Sequence, residues 1–126
     1  ALAPKMAERH WGRIVNLSSI GAHTGGISHS TVYNSTKAAL ISITKNFARN
    51  FAYGGVTCNA VAPGFVATAM NSHVDEHQLD AYLEQIPVGR VAQSEEIAST
   101  VAFLITDSAA YITGTTIDVN GGWVMP

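Results

Sequence analysis

Two short β-branched runs flanking one long helical pattern constrain this chain most. Arg13 to Ser18 alternates and then runs apolar, and Val56 to Val61 does much the same between Gly55 and Pro63; both read as short strands. Between them lie a loop from Ser19 to Ser30, containing Gly and His, and a helical pattern from Thr31 to about Tyr53, which Gly54-Gly55 ends. Either Ser30 or Thr31 can cap that helix. Ala38, Leu40, Ile41, Ile43, Thr44, Phe47, Ala48 and Phe51 give it a wide apolar surface, enough for a core face and a subunit contact. A strand, a helix and a strand in that order predict parallel neighbours in an α/β layout.

The rest of the chain extends the pattern. Ala1 to His10 reads as the end of a helix that Gly12 breaks. Phe65 to about His77 has no clear period and is expected to be a mobile loop or lid. Helical periodicity returns from Gln78 to Ile86 and from Ser94 to Leu104, with Ser94 and Glu96 at a helix start. Thr115 to Val119 is a last short strand, closed by Asn120-Gly121-Gly122. No repeats, linkers or low-complexity stretches interrupt the chain.

Composition sets limits on function. The 126 residues are 47% hydrophobic with a mean hydropathy of +0.16, which suits a buried core and not a disordered chain. A net charge of −2 offers no electrostatic reason for a nucleic acid or an anionic membrane as partner. The single Cys58 excludes an intrachain disulfide and suits a reducing, cytoplasmic setting. No apolar run approaches about 18 residues, so no transmembrane helix is expected, and no signal peptide is evident.

Chemistry concentrates at Tyr33-Asn34-Ser35-Thr36-Lys37. Tyr33 and Lys37 are four residues apart at a helix start, so they share one face. An ammonium beside a phenol favours the phenolate, which makes the pair a general acid/base able to work near neutral pH. The hydroxyl of Ser19, in a loop at the carboxyl end of a strand, could hold a carbonyl oxygen at the same point; ligands of open α/β sheets bind there. The spacing alone also fits an ordinary solvated helix face.

Several ordered blocks make the chain resemble the short-chain dehydrogenase/reductase family over nearly its whole length. They are Gly12-Arg13-Ile14-Val15-Asn16-Leu17-Ser18-Ser19, Tyr33 to Lys37, Asn59-Ala60-Val61-Ala62-Pro63-Gly64-Phe65-Val66-Ala67-Thr68, Ile86-Pro87-Val88-Gly89-Arg90, Ser94-Glu95-Glu96-Ile97-Ala98, Tyr111-Ile112-Thr113-Gly114 and Asn120-Gly121-Gly122. Within the family the ending looks most like bacterial β-ketoacyl-(acyl-carrier-protein) reductases and acetoacetyl-CoA reductases. The resemblance implies a Rossmann-like three-layer parallel sheet of which this chain, as a single partial domain over residues 1–126, is the C-terminal half. The family's Gly-rich first turn, cofactor selector and Asn-Asn-Ala-Gly segment have no counterpart here, which implies a fragment or partly observed chain, inactive in isolation. The first strand would then present an open, aggregation-prone edge.

The same resemblance implies roles. Tyr33 would be the catalytic acid/base and Lys37 its partner and a ligand of the nicotinamide ribose hydroxyls. Ser19 would orient the carbonyl, with Ser18 as its rival. Pro63, Gly64, Val66 and Thr68 would contact the cofactor, Val66 through its backbone and Thr68 through its hydroxyl. The cofactor would be NADP or NAD, with the selecting residues absent. Hydride would pass between nicotinamide and a small-molecule carbonyl, foremost a β-ketoacyl thioester; a small ketone, an alcohol or a polyol is the alternative, and a non-catalytic assembly module a third. Relatives imply a homodimer or homotetramer through the helices and the C-terminal segment. Arg9 matches a basic position that docks acyl carrier protein in relatives, but Gly54 occupies the second such position, which weakens that partner.

Other residues carry competing readings. Ile20, Phe65 and Met70 are candidate pocket walls, with Ile20 and Phe65 set against substrate. His73-Val74-Asp75-Glu76-His77 matches the zinc-protease pattern His-x-x-Glu-His, yet no third ligand is evident and a solvated lid explains it as well. His23 and His29 lie in the active-site loop, as exposed residues or as substrate contacts. Cys58 belongs to an apolar strand, a core position.

Overall fold

The computed structural model describes residues 2–26, 30–71 and 74–126. Three strands form one parallel sheet in the order β1-β2-β3: β1 (Gly12–Leu17), β2 (Val56–Pro63) and β3 (Thr116–Val119). β1 pairs with β2 from Gly12 opposite Val56 to Leu17 opposite Val61, and β2 with β3 from Ala60 opposite Thr116 to Pro63 opposite Val119. β2 is central and reads as a continuous buried run because helices cover both of its faces. One face carries α3 (Thr31–Phe51), the other α5 (Ser94–Leu104); α1 (Leu2–Glu8) precedes β1. The expected three-layer α/β arrangement of parallel strands is present.

Alternation assigns the faces. Val15, Val61, Ile117 and Val119 turn to α5 and build the main core with Ile97, Leu104 and Ala109. Fully burying a side chain such as Leu104 stabilises the fold by about 1.5–3 kcal/mol. On the α3 side the layer is more polar, and several of its groups pair with one another. Asn16 Nδ2 donates to Thr44 Oγ1 (2.9 Å), and the Thr44 hydroxyl donates to Leu40 O (2.8 Å). Cys58 lies against this pair, with Asn16 Nδ2 3.8 Å from its Sγ; burial pushes the thiol up, as expected of a core cysteine. Asn59, completely buried, donates to Ile112 O (2.8 Å) and accepts from Thr115 N (3.3 Å), which pins the turn before β3.

Several local expectations need correction. The stretch after β1 holds a short helix, α2 (Gly21–Thr24), too brief for periodicity to reveal. Ser30 is the N-cap residue of α3, but its hydroxyl makes no cap bond there and accepts instead from Asn34 Nδ2 (3.1 Å). α3 ends at Phe51 in a 3-10 turn, Ala52–Gly54, and Gly55 closes that turn. The apolar face of α3 is only partly covered, since Ile43 and Phe47 remain exposed. α4 (Glu76–Leu83) begins two residues before the expected Gln78, because the Asp75 carboxylate caps it by accepting from Gln78 N (2.8 Å). The stretch after Phe65 is also less irregular than its sequence suggests: Val66 bridges to Ala92, and Ala69–Asn71 is a 3-10 turn. α5 starts at Ser94 and ends at Leu104 as expected, and Gln93 caps it; the Gln93 N–H donates to Glu96 Oε2 (2.8 Å).

Candidate active site

The carboxyl ends of β1 and β2 open into a cleft of about 1010 Å³. Tyr33 and Lys37 reach it from the first turns of α3; Ser18 and Ile20 line it from the loop after β1; Pro63, Gly64, Phe65, Val66 and Thr68 line it from the segment after β2. One helix start and two loops at one sheet end thus bring together the residues singled out from sequence, with the exception of Ser19.

Tyr33 is 41% exposed, its ring open to the cleft. Lys37 Nζ stands 5.5 Å from the centroid of that ring and donates to Leu17 O at 2.7 Å. Because Ser18 N bonds to Val61 O, strand alternation turns the Leu17 carbonyl away from β2. Lys37 therefore takes a main-chain acceptor that the sheet does not use, and its ammonium is held in place beside the phenol.

The two serines separate cleanly. Ser18 is buried and its hydroxyl donates to Lys37 O (2.9 Å), a tie between β1 and α3. Ser19 is half-buried and its hydroxyl accepts from Gly21 N (3.1 Å). That bond turns the oxygen toward the start of α2, so Ser19 is not part of the cleft wall although both of its neighbours are.

α2 is fastened twice near its C-terminal end. Asn34, buried on α3, donates to Gly25 O at 2.5 Å, and His23 Nε2 lies 3.0 Å from Asp118 Oδ1 on β3. The loop carrying Ser19 is thereby tied to two other elements. Sequence reading singled out neither Asn34 nor Asp118; an Asn on the core-facing side of an apolar helix was the one signal available.

On the β2 side, Asn71 Nδ2 donates to Val66 O (2.8 Å), and Ala67 N and Ala92 N complete the bridge between strands 65–67 and 92. The Val66 N–H has no acceptor among the described residues. Phe65 stacks on Tyr82 of α4, and Tyr82 on Trp123 of the C-terminal tail; these two rings and Asn71 line the cleft without having been expected there. The two ring contacts join residues 17 and 41 apart in sequence, beyond any local pattern.

Other candidates sit elsewhere. His29 and His73 lie outside the described residues, as does the side chain of Met70. His77 is exposed in the first turn of α4, and no group of three or more His, Cys, Asp or Glu residues converges among the described residues. Asn16 holds Thr44 in the core and does not reach the site. Arg9 is exposed just after α1. At Gly54 an added Cβ would lie 2.6 Å from Ala7 Cβ, so the packing of α1 leaves no room for a basic side chain there. No helix among the described residues is long and apolar enough to cross a membrane.

Comparison with known proteins places the chain in a family. Residues 1–124 match the family described as enoyl-(acyl carrier protein) reductase. The 3-oxoacyl-[acyl-carrier-protein] reductase of Aquifex aeolicus is 48% identical over 118 residues, covering 94% of this chain and 47% of that protein. The reductase of the same name from Pseudomonas aeruginosa is 46% identical over 120 residues, covering 95% and 48%. Among solved structures, a putative 2-deoxy-d-gluconate 3-dehydrogenase of Agrobacterium tumefaciens with bound NADP superposes with a TM-score of 0.93 at 34% identity, over 98% of this chain and 51% of that one. The chain spans about half the length of the curated relatives it matches.

Proposed function

This chain belongs to the short-chain dehydrogenase/reductase family, and from that premise we propose that the whole protein is an NAD(P)-dependent oxidoreductase acting on the carbonyl of a 3-oxoacyl thioester. The observation that carries the reading is the pairing of Tyr33 and Lys37 on one face of α3, at a cleft that Val66 and Thr68 also line.

The donor set fits a nicotinamide dinucleotide. Tyr33 and Lys37 would hold ribose hydroxyls, the Val66 N–H, free of any acceptor among the described residues, would hold the carboxamide, and Thr68 would add its hydroxyl. Pro63 and Gly64 let the backbone approach. When bound in its reduced form, the nicotinamide supplies a hydride to the carbonyl carbon. Tyr33 gives its phenolic proton to the carbonyl oxygen, which completes the alcohol. Lys37, with its ammonium over the ring, stabilises the phenolate left behind. To donate to the carbonyl oxygen the Ser19 hydroxyl, which accepts from Gly21 N and stands outside the cleft wall, would have to turn from α2 into the cleft. Ile20 and Phe65 bound the space beside that oxygen.

The named activity of the Aquifex and Pseudomonas relatives favours a 3-oxoacyl thioester. The named activity of the Agrobacterium structure favours a second reading, a small ketone or polyol. With Arg9 exposed and Gly54 closed to a side chain, acyl carrier protein has at most one of the two expected cations to dock on, so a coenzyme A thioester is an equal candidate. The cofactor is NADP or NAD. Exposed Leu2, Ile43, Phe47 and Tyr53 on and beside α1 and α3 would form a homo-oligomer contact, which sedimentation of the intact protein would detect.

The deciding assay follows NADPH and NADH absorbance with the intact protein. Turnover of acetoacetyl-CoA is expected. Turnover of small ketones or sugars but not of acetoacetyl-CoA would select the second reading. Neither turnover nor calorimetric binding of either dinucleotide would leave an assembly module.

A further inference from the structure

Three aromatic rings from three separate segments make one wall of the cleft. Phe65 follows β2, Tyr82 sits in α4 and Trp123 lies in the tail after β3. The Phe65 and Tyr82 centroids are 5.3 Å apart at 39°, and those of Tyr82 and Trp123 are 5.6 Å apart at 49°. These are tilted contacts of the kind that attract aromatic rings. The tail is not free to move the third ring away. Val88 N donates to Gly121 O (3.1 Å), and Gly122 N to Asn120 Oδ1 (2.9 Å); Asn120 Nδ2 donates to Val124 O (2.8 Å). Gly121 has φ +65°, and a Cβ there would come within 2.9 Å of Ile86 Cγ2, so the path of the tail requires glycine. Trp123 Nε1 donates to Gln85 Oε1 (3.4 Å), which ties the ring to the residues that follow α4.

Charge is the second observation. Among the described residues lining the cleft, Lys37 alone is charged, and it is engaged with Leu17 O and the Tyr33 ring. A substrate carboxylate placed against the aromatic wall would lose its hydration with no cation to replace it, which is unfavourable. An apolar group placed there would gain ring contact and shed water.

We infer that Phe65, Tyr82 and Trp123 form a subsite for an uncharged, apolar group of the substrate, with Tyr82 and Trp123 as specificity-determining residues. The inference rests on the reductase reading and narrows it to carbonyl compounds uncharged in the part that meets the aromatic wall, setting free 3-oxo acids and sugar acids aside.

The test compares ethyl benzoylacetate, ethyl acetoacetate and potassium acetoacetate as substrates of the intact protein. The neutral esters are expected to exceed the acetoacetate anion in kcat/KM by about a hundredfold, the discrimination expected when a charged group finds no partner. Trp123→Leu is expected to raise KM for ethyl benzoylacetate by about tenfold, the loss of one aromatic contact, with kcat and the KM for ethyl acetoacetate nearly unchanged. Tyr82→Leu should act in the same direction and serves if the first variant fails to fold. Equal use of the acetoacetate anion, or equal losses for both esters in either variant, would overturn the subsite while leaving the reductase in place. Quenching of Trp123 fluorescence by ethyl benzoylacetate in a Trp11→Phe background separates the two claims: quenching without turnover supports the subsite and removes the reductase, and turnover without quenching does the reverse.

Discussion

At the amino end of the sheet, the Arg13 guanidinium draws two loops together. The Arg13 side chain is 5% exposed and bonds to Asp107 Oδ1 (3.2 Å), Thr106 O (3.4 Å), Gly12 O (2.9 Å) and Gly55 O (3.3 Å), with its guanidinium 5.2 Å from the Trp11 ring centroid. At the carboxyl end, single hydrogen bonds anchor loops around a cleft: Ser19 to Gly21, Asn34 to Gly25, Asn71 to Val66. At the amino end Arg13 gathers an aspartate and three carbonyls onto one guanidinium. The carboxyl end leaves a phenol open to the cleft and, among the described residues, a backbone N–H without an acceptor. A parallel sheet exposes strand termini at both ends, so the difference teaches which end was closed for stability and which was kept open for a ligand.

The comparison breaks most sharply at Tyr33. Tyr33→Phe in the intact protein is expected to lower kcat by about 10²–10⁴-fold, the usual share of a positioned acid/base, without moving the unfolding midpoint. Unchanged turnover would remove Tyr33 from the chemistry. Arg13→Ala should behave in the opposite way: a loss of about 1.5–3 kcal/mol, typical of hydrogen bonds to a charged group, seen in urea unfolding, with kcat unaltered. A large kcat loss there would erase the distinction between the two ends.

A smaller effect is expected at the tether of α2. His23→Ala or Asp118→Ala should lower kcat by about tenfold through the loop that carries Ser19, with KM for the dinucleotide and global stability little changed. Equal losses in stability and kcat would make the pair a fold determinant instead. The smallest effect is one of pH. Arg90 bonds to Glu96 through both carboxylate oxygens (2.8 and 2.7 Å), and this partner, with the Gln93 N–H, lowers the carboxyl from 4.5 to about 2. Because the folded value is depressed, the stabilisation is complete above about 4.5 and is lost as pH falls toward 2. Glu96→Gln should therefore flatten the fall in unfolding midpoint between those pH values and change nothing at pH 7 kinetics.

Much of the fold was legible in the residues because the signals were periodic and punctuated. β1, β2 and α3 came from apolar spacing and from Gly54-Gly55, and parallel pairing came from element order. α2 was hidden because four residues contain no period. The start of α4 was hidden because Asp75 acts as a cap only once its carboxylate meets Gln78 N, whereas the start of α5 at Ser94 was legible and only its Gln93 cap was not. At the site, Tyr33 and Lys37 were visible through their spacing of four. Ser19 stood out, yet the direction of its hydroxyl did not, because that depends on where Gly21 N points.

The sequence by itself determined the order of strands and helices, the shared face of Tyr33 and Lys37, and the loops at which a ligand could enter, since all of these are local properties of neighbouring residues. Only the tertiary structure decided that Lys37 borrows the Leu17 carbonyl, that the Val66 N–H finds no acceptor among the described residues, and that Phe65, Tyr82 and Trp123 meet as one wall. The physical reason is distance along the chain: contacts between residues tens of positions apart carry no local period, and they come into being when the sheet brings its loops to one end.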